Sequence, residues 1–225
     1  TKHDRVKLID WDNLGNNSYI AVNQLTIKGT KDRRPDVILF INGIPVGVIE
    51  LKKVGDENAT ISSAFNQLQT YKAQIPALFV WNQITVISDG IQARAGSYTA
   101  GWEHYAPWKT INGSDLEELK GYPEIEILIA GMLNREVITD LISDFTAIYG
   151  EGDTYSRKTA KYHQYWAVKK AIVSTLKAVQ TGGKKGGVVW HTQGSGKSLE
   201  MLYYASKVMS SKELKNPTIV VLTDR

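Results

Sequence analysis

Asp36-Val-Ile-Leu-Phe-Ile41-Asn42-Gly43-Ile44-Pro-Val-Gly-Val-Ile-Glu50-Leu-Lys52 is the stretch on which the fold of this chain turns. Two apolar runs flank an Asn-Gly pair, the strongest short-range signal of a tight β-hairpin, because both residues tolerate positive φ. The second run, Ile44 to Leu51, is almost wholly apolar until Glu50, and Lys52 follows it. Residues two apart on a strand project from one face, so Glu50 and Lys52 share a side where a buried strand emerges. Two acids and a lysine at strand ends suit phosphodiester hydrolysis. Asp36 and Glu50 supply hard oxygen ligands for Mg²⁺, which polarises a phosphate and lowers the pKa of an attacking water, and Lys52 offsets charge developing on the phosphate. Register decides whether Asp36 takes part. A strict two-residue loop pairs Ile41 with Ile44 and Asp36 with Ile49, leaving Asp36 and Glu50 on opposite faces. A three-residue loop or a bulge is therefore expected between them, making the acids cross-strand neighbours.

Outward from this hairpin, residues 19 to 28 alternate like a strand and run into the polar segment Gly29 to Pro35. On the other side Ile61, Phe65, Leu68 and Ile75 recur at helical spacing, predicting a helix from Asn58 to Gln74 that Pro76 closes. Gln67 and Tyr71 lie four apart on one of its faces. An amide and a phenol there reach DNA phosphate or orient the site; the alternative is that Tyr71 caps the core and Gln67 is solvated. Short strands are expected at Leu78 to Trp81 and Ile84 to Ser88, and a loop from Gly90 to Gly113. One helix is expected from Glu124 to Tyr149, with the stripe Ile125, Leu128, Ile129, Met132 and Leu133. Glycine and charge replace the apolar pattern at Gly150-Glu-Gly-Asp153, predicting a linker that divides the chain into domains 1–150 and 151–225.

The second part reads as a helix from Lys161 to Val179, a basic glycine turn from Gly182 to Gly187 and a strand from Val188 to His191. A phosphate loop, a helix from Leu199 to Met209 and a strand from Thr218 to Leu222 complete a βαβ unit. The loop is His191-Thr192-Gln193-Gly194-Ser195-Gly196-Lys197-Ser198. Gly194 and Gly196 let the backbone N–H groups curl toward a phosphate, Lys197 reaches the β- and γ-phosphates of ATP, and Ser198 ligates Mg²⁺. His191 stands where such loops usually begin with glycine. Upstream, Gln164 offers an amide to an adenine edge, or else packs and caps its helix.

The chain has 225 residues, 42% of them hydrophobic, with 27 Lys and Arg against 23 Asp and Glu, giving a net charge of +4. That charge permits a polyanionic partner without demanding one. The absence of cysteine excludes disulfides and thiolate metal sites and fits a reducing cytoplasm. No apolar run approaches the roughly 20 residues needed to span a bilayer, and the polar start is no signal peptide. A cytoplasmic protein without membrane contact is expected. Both ends read as cuts through something larger. No acidic motif follows the phosphate loop to hold a catalytic Mg²⁺, so this stretch is expected to bind ATP weakly rather than hydrolyse it.

Taken in order, Arg34-Pro35-Asp36, Val48-Ile49-Glu50-Leu51-Lys52, Gln67 with Tyr71, Ile87-Ser88-Asp89-Gly90, Tyr162-His163-Gln164, Thr192 to Ser198 and Leu222-Thr-Asp-Arg225 resemble the restriction subunit of type I restriction-modification enzymes. The resemblance runs from about Asn23 to Arg225. It implies an α/β architecture: a PD-(D/E)XK nuclease domain, a mixed sheet flanked by helices, followed by the beginning of a RecA-like parallel α/β motor domain. By that analogy Asp36 and Glu50 bind Mg²⁺, Lys52 is catalytic, Gln67 and Tyr71 support cleavage, Gln164 contacts adenine, and Gly194, Ser195, Gly196, Lys197 and Ser198 hold the phosphates. It also implies cleavage of double-stranded DNA after ATP-driven translocation. Methyltransferase and specificity subunits would be the partners, and S-adenosylmethionine would enter only through them. The competing reading is a nucleotide-gated DNA-binding or regulatory module whose nuclease fold is inactive.

Overall fold

Tyr19–Asn23 (β1), Val37–Ile41 (β2), Ile44–Leu51 (β3), Ile84–Ser88 (β4) and Ala93–Ser97 (β5) form one sheet in that order, in a computed structural model that describes residues 6–53, 60–117, 121, 123–183 and 185–222. Only the β3–β4 pair is parallel, so the sheet is mixed. Parallel neighbours need a crossover, and Ile61–Gln74 (α1) provides it. The side chain of Thr60 caps α1 by accepting a hydrogen bond from the Ser63 N–H. Residues 58 and 59, where the sequence places the start of that helix, lie outside the described residues.

β3 is buried along nearly its whole length, as a strand covered on both faces must be. On one face Ile38, Val48 and Ile87 pack under Ala64, Leu68, Tyr71 and Ile75 of the α1 layer. On the other, Ile41, Val46, Ile49 and Val86 join Leu128, Leu141 and Phe145. These come from Glu124–Gly131 (α2), Arg135–Ser143 (α3) and the turn after α3.

The hairpin contains both a tight turn and the expected bulge. Asn42 and Gly43 take φ values of 51° and 81°, the pair of positive angles that a two-residue turn requires. Ile41 opposes Ile44 and Phe40 opposes Pro45, then the register shifts so that Leu39 opposes Gly47, Ile38 opposes Val48 and Val37 opposes Ile49. Val46 is the extra residue.

Several expectations give way. The strand from 19 to 28 ends at Asn23, because Gln24 turns with φ 50°. Leu78 to Trp81 is not a strand: Pro76–Phe79 form a 3-10 turn that sinks Leu78 and Phe79 under α1. The expected loop from Gly90 to Gly113 contains β5, whose Ala93 and Ala95 are buried. The single helix from Glu124 to Tyr149 is instead α2, α3 and the strand Thr146–Tyr149 (β6). Asn134 makes the break. Its Oδ1 accepts from the Val137 N–H at 3.0 Å, and its amide donates to the carbonyls of Ala130 and Gly131. Within the expected stripe, Ile129 is half exposed.

Gly150 to Asp153 is not a free linker, because β6 pairs antiparallel with Ser156–Thr159 (β7) across it. Past that hairpin run Tyr162–Gln180 (α4) and Lys197–Ser210 (α5). Phe145 is fully buried between them, with ring centroids 4.8 Å from Tyr165 of α4 and 5.7 Å from Tyr203 of α5. Asp140 accepts hydrogen bonds from the Tyr165 hydroxyl and Lys169, and Asp144 from Lys207. The expected strands Val188 to His191 and Thr218 to Leu222 are unpaired among the described residues, and no parallel sheet forms there. Val188, Trp190, Val220 and Leu222 are all exposed, since strand-forming side chains do not make a strand without a neighbour to bond. Thr223 to Arg225 lie outside the described residues. Among the described residues no helix is long and apolar enough to cross a membrane.

Candidate active site

One step past the Val37–Ile49 pair, the bulged register carries Asp36 to the position opposite Glu50. Both then lie on the α1 side of the sheet, two residues from Ile38 and Val48 respectively. The Leu51 N–H donates to Asp36 Oδ2 at 2.8 Å, which fixes the Asp36 carboxylate across the strand pair. Lys52 Nζ donates to Glu50 Oε1 at 2.8 Å, while its backbone N–H donates to the Ser88 carbonyl at the end of β4. Asp36, Glu50 and Lys52 are thus assembled at one end of the central strands.

Glu50 is the electrostatic centre. Its residue is 3% exposed, and its Oε2 is buried without a hydrogen-bond partner among the described residues. Burial raises its pKa, the Asp36 charge raises it further, and the Lys52 ammonium and Tyr71 phenol pull it back. Tyr71 lies on α1 and is buried in the core beneath the site, as the core-capping alternative has it. Burial and the facing Glu50 raise the Tyr71 pKa, and Gln67, half-buried one turn earlier, opposes this through a hydrogen bond. A buried carboxylate oxygen lacking a donor, beside a second carboxylate, is a donor set that fits a divalent cation such as Mg²⁺. Among the described residues no group of three or more acids and histidines could hold one, so such an ion would rest on two carboxylates, completed by backbone carbonyls, water or phosphate.

The phosphate loop lies between unpaired backbone and α5. Gly194 and Gly196 have φ values of 80° and 86°, and Gly196 precedes the first helical residue, Lys197. The Lys197 ammonium donates to the carbonyls of His191 and Thr192 at 3.2 and 2.9 Å, folding back across the loop. Ser198 and Thr192 are exposed, and the Ser195 hydroxyl is buried without a partner among the described residues. Gln164 does not present an open edge to a base. It is 2% exposed, its Oε1 accepts from the Lys161 N–H, and its amide donates to the Ser195 and Gly196 carbonyls at 3.0 and 3.3 Å. Gln164 therefore clamps the loop from beneath.

Glu200, which braces the head of the loop through His191, does not stand out in the sequence. His163 bonds the Ser195 carbonyl at 3.1 Å, and His191 Nδ1 lies 2.5 Å from Glu200 Oε1, with the two imidazoles edge to face at 5.2 Å. The available signal is spacing: Glu200 lies one helical turn beyond Lys197 and so returns to the loop.

Residues 1–125 match the family model described as type I restriction enzyme R protein N terminus, and residues 163–225 match that of the SWI2/SNF2 ATPase. The type I restriction enzyme HindI endonuclease subunit of Haemophilus influenzae is 45% identical over all of this chain and 22% of its own length. The MjaIXP endonuclease subunit of Methanocaldococcus jannaschii is 36% identical over 98% of this chain and 23% of its own. The SauCOLORF180P endonuclease subunit of Staphylococcus aureus is 30% identical over 93% of this chain and 21% of its own. The chain thus spans between a fifth and a quarter of the length of these relatives. With more than half of its residues matched by the first of these models, the chain belongs to the type I restriction enzyme R protein N-terminal family.

Proposed function

We propose that residues 1–150 hold a Mg²⁺-dependent site for cleaving double-stranded DNA, and that the residues after them open an ATP-driven DNA translocase in a type I restriction enzyme. The observation that carries the first part is the bulge at Val46, which sets Asp36 opposite a buried, under-bonded Glu50. Asp36 and Glu50 would hold the ion, which supplies Lewis acidity toward a phosphate and a more acidic bound water. The Leu51 N–H keeps Asp36 turned toward Glu50. Lys52 Nζ, held against Glu50 Oε1, would set its ammonium beside the place where charge builds on the scissile phosphate. Tyr71, facing Glu50 from α1, and Gln67 one turn earlier would orient the carboxylate side of the site.

The second part is supported by the SWI2/SNF2 match and by the loop at the N-terminus of α5. Lys197 and Ser198 would turn to the phosphates and Mg²⁺ of ATP, with the α5 N–H groups behind them. Methyltransferase and specificity subunits are the proposed partners, in keeping with the relatives' names as restriction enzyme subunits, and S-adenosylmethionine belongs to those partners.

The test uses the intact enzyme carrying Asp36→Ala or Lys52→Ala. Loss of double-strand cleavage with ATP hydrolysis and translocation retained supports the nuclease assignment, and undiminished cleavage by both variants overturns it.

A further inference from the structure

Residues 28–34, Lys-Gly-Thr-Lys-Asp-Arg-Arg, hold four cations against one acid, a local net charge of +3 in seven residues. Lys28, Lys31 and Arg34 are exposed, Arg33 is half-buried, and none of the four takes part in an ion pair among the described residues.

These residues form a braced loop between β1 and β2. Ile27 and Arg33 exchange backbone hydrogen bonds of 2.7 and 2.9 Å, and the Gln24 N–H donates to the Asp36 carbonyl at 2.9 Å. The Thr30 N–H and hydroxyl both donate to the Gln74 carbonyl at the end of α1, and the Arg33 guanidinium bonds the Gln74 side chain. Gln74 is three residues beyond Tyr71, about one helical turn, and Arg34 is two residues before Asp36. One loop is therefore tied at both ends to elements that carry the candidate cleavage site.

The site itself does not attract a polyanion. Lys52 is matched to Glu50, and Asp36 adds a further negative charge. A phosphodiester brought there must be held by cations outside the constellation.

We infer that the 28–34 loop is a clamp for the backbone of duplex DNA, with Lys28, Lys31 and Arg34 on phosphates beside the scissile one and Arg33 bracing the loop against Gln74. This rests on the cleavage reading above, and the clamp would supply the attraction that the carboxylates lack. Phosphate contacts of this kind position DNA without reading its sequence.

The experiment measures binding of the complete subunit to a fluorescent duplex by anisotropy across a salt series, with Ca²⁺ in place of Mg²⁺ to prevent turnover. Each phosphate left without its cation lowers the slope of log K against log salt by about 0.9, so K28Q/K31Q/R34Q should lower it by roughly 2.7 and weaken binding at least about tenfold at low salt. The charge-preserving variant K28R/K31R/R34K should bind like the parent. An unchanged slope in the neutralised variant, or equal weakening in the charge-preserving one, overturns the clamp. Asp36→Ala, assayed in parallel with Mg²⁺, keeps the two readings apart. Undiminished cleavage by that variant would sink the nuclease assignment, whereas the clamp is judged by the salt slope alone.

Discussion

Glu50→Gln should make the protein more stable while removing cleavage. In the absence of metal the Glu50 carboxylate is buried, one oxygen has no donor, and Asp36 lies across the strand pair. Glutamine keeps the shape and an acceptor for Lys52. The Lys52 bond passes from an ion pair to a bond between an ammonium and a neutral amide oxygen, a loss of about 1 kcal/mol. Against this stands relief of burying an ionised carboxylate, which costs on the order of several kcal/mol before its partner's attraction is counted. The new amide also meets Asp36 as a donor rather than as a like charge. A net gain of about 1–2 kcal/mol is expected, or roughly 2–8 °C in Tm for a chain of this size. Urea unfolding at neutral pH with EDTA present measures it, alongside cleavage of a supercoiled plasmid by the assembled enzyme. Destabilisation by more than about 1 kcal/mol, judged against the usual cost of losing a satisfied polar group, would show that the carboxylate is bonded for structure and that its strain is not kept for a cation.

The same buried carboxylate sets a pH dependence. Because the folded-state pKa of Glu50 is raised, the folded chain binds this proton more tightly than the unfolded chain, so its contribution to stability falls as pH rises from the ordinary carboxylate range through the raised value. Divalent-ion affinity should run the other way, weakening on acidification sooner than at an exposed carboxylate pair; isothermal titration with Mn²⁺ across pH 5–8 checks this, and a flat profile refutes it. Gly196→Ala should weaken binding of a fluorescent ATP analogue, because φ is 86° and a Cβ would collide with the Gln164 amide, at a cost of about 1–3 kcal/mol in strain. Phe145→Ala should cost about 3–5 kcal/mol in urea unfolding, since this fully buried ring joins the sheet layer to α4 and α5.

The central hairpin was legible because local signals agreed there: apolar runs, Asn-Gly, and two acids whose spacing demanded a bulge. The α1 helix was legible from its apolar period, and Gln67 and Tyr71 from their common face. β5 was hidden because Ala93 to Ser97 holds only small residues apart from Arg94, and its strand character comes from pairing with β4 under α2. The break before α3 offered only Gly131 inside an apolar run, too weak a signal to end a helix there, and the side-chain bonds of Asn134 make it. Val188 to His191 shows the converse, strong local preference with no hydrogen-bonding neighbour among the described residues. Gln164 and the imidazoles beside it depend on the close approach of α4 to a loop some thirty residues later, which no local pattern reports.

The extra residue at Val46 makes the site a matter of parity. In a hairpin with a two-residue turn and regular pairing, cross-strand partners differ in number by odd values, as Ile41 and Ile44 do. Asp36 and Glu50 are an even fourteen apart, and one unpaired residue reconciles the two counts. A single insertion or deletion between the acids would turn one of them to the far face of the sheet, whereas a paired change, one residue on each strand, would lengthen or shorten the hairpin and leave them facing each other. Length variation in this arm is therefore constrained in steps of two, irrespective of which apolar residues fill it.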